Sequence, residues 1–116
     1  MIGLVKSVIL LNMYIRFVTF RFPSQNKAEA FISMMSAPLW QEKFDKETKS
    51  IEQILIRSGE GRLAGMGIYK SQEDFDESSK ILKIMFIDLV KSFDGILEWH
   101  DGDVAFHYKR KKEDEK

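Results

Sequence analysis

The segment EWHDGDVAFH, residues 98–107, contains both histidines of the chain, His100 and His107, close to the carboxylates of Asp101 and Asp103. A carboxylate beside an imidazole raises the pKa of the ring, so such a pair can act as a general base or bind a metal. If the Asp-Gly pair in this segment forms a two-residue turn, His100 and Asp103 face each other across a hairpin. If the segment is one continuous strand, the two histidines point to opposite faces and cannot share a metal. The polar residues of an exposed turn are the simpler interpretation, and no metal site is predicted.

Arg16 is a second candidate, because it lies among apolar residues in the segment MYIRFVTFRF. A buried arginine needs a partner, and a guanidinium can receive the carboxylate of a ligand through two parallel hydrogen bonds. A structural salt bridge with Glu52, Glu98 or a partner chain is the alternative. The hydroxyl groups of Tyr14 and Tyr69 are further candidate anchors for the polar end of a ligand.

Methionine and aromatic residues form a third group, whose side chains can line an apolar pocket or fill an ordinary core. Its members are Phe31, Met34, Met35, Trp40, Met66, Met85, Phe86 and Phe93. Gly65 and Gly67 share one face of a predicted strand, where the missing side chains leave space for a helix or a ligand. The predicted ligand-binding residues are Tyr14, Arg16, Phe31, Met35, Trp40, Met66, Tyr69, Met85 and Phe86. The catalytic candidates are His100, His107 and Trp99.

Composition excludes several classes of function. The 116 residues carry 18 basic and 18 acidic side chains, so no global attraction to nucleic acid or to anionic membranes is expected. Cysteine is absent, which excludes disulfides, thiolate nucleophiles and cysteine-ligated zinc. No phosphate-binding loop, dinucleotide fingerprint or nucleophile elbow occurs, and no cofactor is predicted.

Three segments are predicted: an N-terminal extension (1–12), a folded domain (13–108) and a charged tail (109–116) that is frayed or helical. The apolar run in the extension is too short for a signal peptide or a membrane span, so a cytoplasmic location is expected. We expect the extension to dock as an added strand or as a cover over an apolar groove. Met13 is an alternative start to Met1.

The first half of the domain is predicted as a strand followed by a broken helix. MYIRFVTFRF is the strand, and Ser24 after it is a typical N-cap. The helical face that follows consists of Ala28, Phe31, Ile32 and Met35. Proline in SAPLW interrupts this helix. In the second short helix the residues expected to turn inward are Leu39, Trp40 and Phe44.

The second half is predicted as a hairpin, a long helix and a final strand. SIEQILIRSG and RLAGMGIYKS form the hairpin around a glycine-rich turn. SQEDFDESSKILKIMFIDLVKSF is the helix, capped by Ser71. A second apolar stripe on it widens the apolar surface beyond what one sheet face needs; its residues are Ile81, Ile84 and Ile87.

This order, β-α-β-β-α-β, is the ferredoxin-like plan of an antiparallel sheet with its helices on one face. Both faces of the first strand are apolar, yet the helices can cover only one of them. A second copy of the chain is the economical cover for the other face, because self-complementary two-fold contacts are common and exposed apolar patches are not. The sequence therefore predicts a homodimer that packs sheet against sheet.

The element order, the helix broken at SAPLW and the two apolar sheet faces resemble the dimeric α+β barrel superfamily over residues 13–108. That superfamily includes antibiotic-biosynthesis-type and haem-degrading monooxygenases. The resemblance implies a barrel between subunits and an apolar pocket between each sheet and its own helices. Haem-degrading members use a helix-borne histidine, whereas both histidines here lie in the C-terminal strand region. Cofactor-free members use an asparagine and tryptophans, for which this chain offers Asn12, Asn26, Trp40 and Trp99.

Three functions remain open at this point. The first is a homodimeric binding protein for a small, mainly apolar molecule such as an acyl chain or an aromatic metabolite. The second is a cofactor-independent monooxygenase, which requires a histidine or tryptophan facing a cavity. The third is a structural or regulatory dimer, which predicts no cavity large enough for a ligand.

Overall fold

The computed structural model describes residues 13–111, which form one antiparallel sheet and three helices. The predictions for the N-terminal extension, and for residues 112–116 of the tail, lie outside the described residues. The elements in chain order are β1 (Tyr14–Arg21), α1 (Gln25–Met35), α2 (Pro38–Glu47), β2 (Glu52–Gly59), β3 (Arg62–Tyr69), α3 (Gln72–Ser92), β4 (Ile96–Trp99) and β5 (Gly102–Asp103).

The sheet is open and has the strand order β2-β3-β1-β4, with β5 also paired to β1. All of these pairings are antiparallel. The ferredoxin-like α+β fold with helices on one face is confirmed. It places β1 at the centre, where both of its edges are paired.

Of the two alternatives left open at the Asp-Gly pair, the structure has the strand that continues along β1 and not the hairpin. β4 and β5 pair with β1 in a single register, in which Val18 lies opposite Trp99 and Ile15 lies opposite Gly102. The backbone N–H of His100 also donates to the carbonyl of Phe17 at 2.6 Å. The edge of β1 thus supplies partners for both halves of the segment, and doubling back would leave those backbone groups unpaired.

The helices begin and end where the local sequence predicts. Ser24 and Ser71 accept hydrogen bonds from the backbone N–H groups three residues further on, which caps α1 and α3. Pro38 occupies the first turn of α2, where its missing N–H costs nothing, so the chain breaks between two helices there. Leu39 is 62% exposed and does not turn inward as predicted, although Trp40 does.

The two faces of the sheet differ in what covers them. The helices pack on the face that carries Arg16, Val18 and Phe20, all of which are buried. The opposite face, here called the open face, is not covered by any helix or strand among residues 13–111. Its exposed apolar side chains are Phe17, Ile54, Ile56 and Ile96. No helix within residues 13–111 is long and apolar enough to cross a membrane.

Candidate functional site

A cavity of about 450 Å³ lies between the helix-covered face of the sheet and all three helices. Its walls are mainly apolar and include one aromatic side chain from each helix together with Met35 of α1. The residues that line it include Arg16, Phe31, Met35, Gln53, Gly67 and Phe86.

The glycines of β3 provide part of the space. A Cβ atom at Gly67 would lie 2.8 Å from Nε2 of Gln53, so the side chain of Gln53 lies over the position that a residue 67 side chain would take. A Cβ atom at Gly65 would touch Val18 and Phe20 at 3.4 Å. Both glycines border the cavity, and the space beside them is occupied by Gln53 at Gly67 and by Val18, Phe20 and Leu55 at Gly65.

One row of residues crosses the helix-covered face at the polar end of the cavity. The strand pairings place Gln53 beside Gly67 and Gly67 beside Arg16. The common register of β4 and β5 continues this row to Asp101, which lies between those two strands. Hydrogen bonding between strands therefore fixes an amide, a guanidinium and a carboxylate in line.

The side chain of Arg16 is only 1% exposed, and its guanidinium packs against two aromatic rings. Its central carbon lies 4.8 Å from the ring centre of Phe75 and 4.6 Å from that of Trp99. Nη2 donates to the hydroxyl of Ser79 at 2.6 Å. The nearest carboxylate oxygen, Oδ1 of Asp101, is 3.8 Å from Nε, which is too far for a hydrogen bond.

Polar atoms around Arg16 are left without hydrogen-bond partners among the described residues. They are Nε and Nη1 of Arg16, Nε2 of Gln53, the hydroxyl of Tyr69 and Oδ1 of Asp101. Buried polar groups are nearly always paired, and each unpaired one costs about 1–3 kcal/mol. The structural salt bridges predicted with Glu52 or Glu98 are not what Arg16 makes. Both carboxylates belong to the opposite face by strand alternation.

Burial shapes the charges of this cluster. Desolvation lowers the pKa of Arg16, while the proximity of Tyr69 and Asp101 acts in the opposite direction. Desolvation raises the pKa of Tyr69, partly offset by the charge of Arg16. Since an arginine stays protonated in proteins, the cluster at neutral pH holds a cation beside a neutral phenol.

A second arginine borders the cavity where it meets solvent. Arg57 of β2 donates from Nε and Nη2 to the two carboxylate oxygens of Glu29 in α1, at 2.7 and 2.8 Å. Gln25 also donates to Glu29 at 2.8 Å. The hydrogen bond from Arg57 holds the pKa of Glu29 at about 2, well below its ordinary value of 4.5.

The predicted ligand-binding residues divide into two groups. Those that border the cavity are Arg16, Phe31, Met35, Met66 and Phe86. Alternation places the side chain of Met66 on the open face, so this residue borders the cavity through the strand itself. The others lie behind the lining: Trp40 packs parallel to Phe86, Tyr14 and Tyr69 pack on Phe75, and Met85 is half-buried in α3.

The catalytic candidates are not brought together. His100 lies on the open face, where its ring centre is 6.1 Å from that of Phe17. His107 is exposed and follows β5. Trp99 stacks on Arg16 behind the lining. Among residues 13–111 no group of three histidines or carboxylates is placed to hold a metal.

Sequence reasoning missed the roles of Phe75 and Ser79, and it assigned Asp101 to an exposed turn. The one signal for the cluster was Arg16, a charged residue in the middle of an apolar strand. Its partners come from α3 and from the break between β4 and β5, and nothing in their local sequence links them to β1.

Solved structures with the same fold provide a comparison. A dimeric ferredoxin-like protein from an uncultured marine organism matches with a TM-score of 0.67 at 16% identity, over 86% of this chain and 94% of its own. A mutant of SnoaB, a cofactor-independent oxygenase from Streptomyces nogalater, matches with a TM-score of 0.61 at 8% identity, over 85% and 99%. A monooxygenase of Streptomyces coelicolor in complex with nanaomycin D matches with a TM-score of 0.60 at 10% identity, over 83% and 92%.

These matches confirm the ferredoxin-like fold that the resemblance implies. Comparison of the sequence with protein-family models and with curated proteins gives no match.

Proposed function

We propose that the protein is a homodimer that binds a small, mainly apolar molecule in the cavity between its sheet and helices. The observation that carries this proposal is an apolar cavity of about 450 Å³ with a buried polar anchor, Arg16, at one end. Small-molecule pockets typically enclose roughly 300–1,000 Å³ and combine apolar walls with a few polar groups. A purely structural dimer was expected to have a filled core, so the cavity speaks against that alternative.

Cofactor-independent oxygenation is the second candidate, because two proteins of the same fold are described as oxygenases. That reaction was expected to require a histidine or a tryptophan facing the cavity. Neither histidine and neither tryptophan is among the described residues that line it. Binding is therefore the better-supported function.

The homodimer is proposed from the open face. Ile54 and Ile56 of β2 and Ile96 of β4 are large, exposed apolar residues on the same side of the sheet as Phe17. Ile54, Met66 and Phe17 lie side by side in one row of this face, and an exposed apolar row of this kind on a small protein usually marks an interface. A two-fold contact would cover the same patch on both copies, and two proteins of this fold are described as dimeric ferredoxin-like proteins.

The dimer is tested by placing a charge on each of the two apolar surfaces in turn. Ile54→Glu puts a carboxylate on the open face, and Ile84→Glu puts one on the exposed side of α3, where the isoleucine is 65% exposed. We expect light scattering to give a dimer mass for the wild type and for Ile84→Glu, and a monomer mass for Ile54→Glu. A dimer that survives Ile54→Glu but not Ile84→Glu would place the interface on the helices instead.

The pocket is tested by native mass spectrometry, followed by solvent extraction of the denatured sample. We expect a stoichiometric apolar adduct on the wild type and a reduced amount on Gly67→Val, because the new side chain displaces that of Gln53, which borders the cavity. Gly59→Val is the matched control, since a Cβ atom there meets only the side chain of Arg62 at 3.4 Å or more. An adduct carried equally by both variants would place the ligand outside this cavity.

A further inference from the structure

We infer that the ligand carries a carboxylate, which binds the unpartnered donors around Arg16 while its apolar body occupies the cavity. This inference rests on the proposed small-molecule function and specifies the chemical class of the ligand. The unpaired polar atoms of the cluster, its charge and its rigidity all favour such a ligand.

The unpaired atoms are mostly donors. Nε and Nη1 of Arg16 and Nε2 of Gln53, two residues that line the cavity, can only donate hydrogen bonds. The hydroxyl of Tyr69 can donate or accept, and Oδ1 of Asp101 can only accept. The three nitrogens cannot satisfy one another. The group that would satisfy them is rich in acceptor oxygens, and an ionised carboxylate offers about four acceptor positions and no donor.

The charge of the cluster also favours an anion. Arg16 is a cation, and its burial disfavours the charged form of the side chain. A buried charge of this kind needs a close counterion. Among the described residues, Asp101 is the only one with a carboxylate within 4.0 Å of the Arg16 guanidinium. Its Oδ1 lies 3.8 Å from Nε, which is too far for a hydrogen bond. A ligand carboxylate at 2.7–2.9 Å, the usual length of such charge-assisted bonds, would compensate the guanidinium better.

The geometry prepares Arg16 for a planar partner. The rings of Phe75 and Trp99 both pack against the guanidinium, so a ligand reaches it through the edges that these rings leave open. Ser79 fixes Nη2 at one of these edges. Because the side chain is already ordered and desolvated, little conformational entropy is lost when an anion binds.

Asp101 is the group with which a ligand anion would compete. Its side chain is 17% exposed and lies at the break between β4 and β5, where it can turn toward solvent. Its negative charge repels a second carboxylate beside Arg16. Removing this charge is therefore expected to strengthen the binding of an acid and to leave the binding of a neutral analogue unchanged.

The experiment measures dissociation constants by calorimetry for two matched pairs of probes. Octanoate and octanamide represent acyl chains, and 2-naphthoate and 2-naphthamide represent aromatic acids. We expect the acid of at least one pair to bind the delipidated wild type about ten- to a hundredfold more tightly than its amide, as hydrogen bonds to a charged group require. The pair that shows the preference identifies whether the body is acyl or aromatic.

Variants assign the preference to the cluster. Arg16→Gln is expected to remove the preference for the acid, while Lys91→Gln, which deletes an exposed charge at the end of α3, keeps it. Asp101→Asn is expected to tighten acid binding several-fold with no effect on the amide, because the competing charge is gone. If Arg16→Gln does not fold, the affinities of the acids and amides for the wild type and for Asp101→Asn still show whether the ligand binds through a carboxylate.

Two results would overturn the inference in distinguishable ways. Equal affinity for acid and amide, with at least one pair bound, would reject a carboxylate ligand and leave the apolar binding site in place. Absence of binding by all four probes, together with no extracted adduct from the purified protein, would reject the proposed function and this inference with it.

Discussion

The two arginines that border the cavity are paired in opposite ways. Arg57 is 61% exposed and forms two short, parallel hydrogen bonds with Glu29. Arg16 is 1% exposed and forms one short hydrogen bond, to a serine hydroxyl. Arg57, which water could solvate, thus has the better hydrogen-bond partners. Arg16 has the poorer ones, although unpaired polar atoms lower stability most where they are buried.

This difference indicates which arginine serves the fold and which serves a ligand. An exposed, bidentate pair such as Arg57 and Glu29 joins β2 to α1 at little cost in solvation. A buried guanidinium whose N–H groups lack partners lowers the stability of the fold through its desolvation. Groups that lower stability in this way are concentrated at functional sites. The predictions below test this contrast.

The largest expected effect on stability comes from replacing the buried pair with uncharged residues. In the ligand-free protein, Arg16→Met together with Asp101→Asn should raise the free energy of unfolding by about 2 kcal/mol, since a thioether between two rings needs no solvation. Urea denaturation at a fixed protein concentration measures this change. The same double variant should lose acid binding.

Arg16→Met alone serves as the control, because it leaves the carboxylate of Asp101 without its cation. We expect it to be less stable than the double variant. A loss of about 3 kcal/mol or more in the double variant would mean that Arg16 is a structural element, since that is the scale of breaking a buried pair that the fold depends on.

A smaller effect is expected at the hydroxyl that holds Nη2. Ser79→Ala removes the short hydrogen bond to Arg16 and should lower the free energy of unfolding by about 1 kcal/mol. In the Arg16→Met background the same substitution should cost close to nothing, and a double-mutant cycle measured in urea isolates the difference. Equal costs in both backgrounds would show that Ser79 stabilises α3 by another route.

The smallest effect on stability is expected at the exposed pair. Arg57→Gln should lower the urea midpoint at neutral pH only slightly, and by less than Ser79→Ala does, because both partners are solvated and screened. The pKa of Glu29 should return from about 2 toward its ordinary 4.5. A carbon-detected NMR titration of the glutamate carboxyls measures this shift, and an unchanged pKa would mean that Arg57 is not its cause.

The sign of the accompanying pH dependence is fixed by the same pKa. Since folding lowers the pKa of Glu29, its contribution to stability is fully present above pH 4.5 and is lost as the pH falls toward about 2. The wild type should therefore lose stability over this range more steeply than Arg57→Gln. Parallel pH profiles for the two proteins would contradict this assignment.

The sequence by itself determined the elements and their faces. Alternation in MYIRFVTFRF placed Arg16 and Phe20 on one face of β1 and Phe17 on the other, because successive side chains of a strand point in opposite directions. Ser24 and Pro38 fixed helix boundaries through backbone hydrogen bonding, which is local. The ferredoxin-like order followed from these elements.

Tertiary structure decided which residues meet. The sequence could not show that β4 and β5 share one register on β1, since a hairpin and an interrupted strand fit the same Asp-Gly pair. That register brought Asp101 to Arg16 and carried His100 to the opposite face. The packing of α3 then added Phe75 and Ser79. Pairing and packing act between residues far apart in the chain, so local patterns could propose a buried arginine but could not name its surroundings.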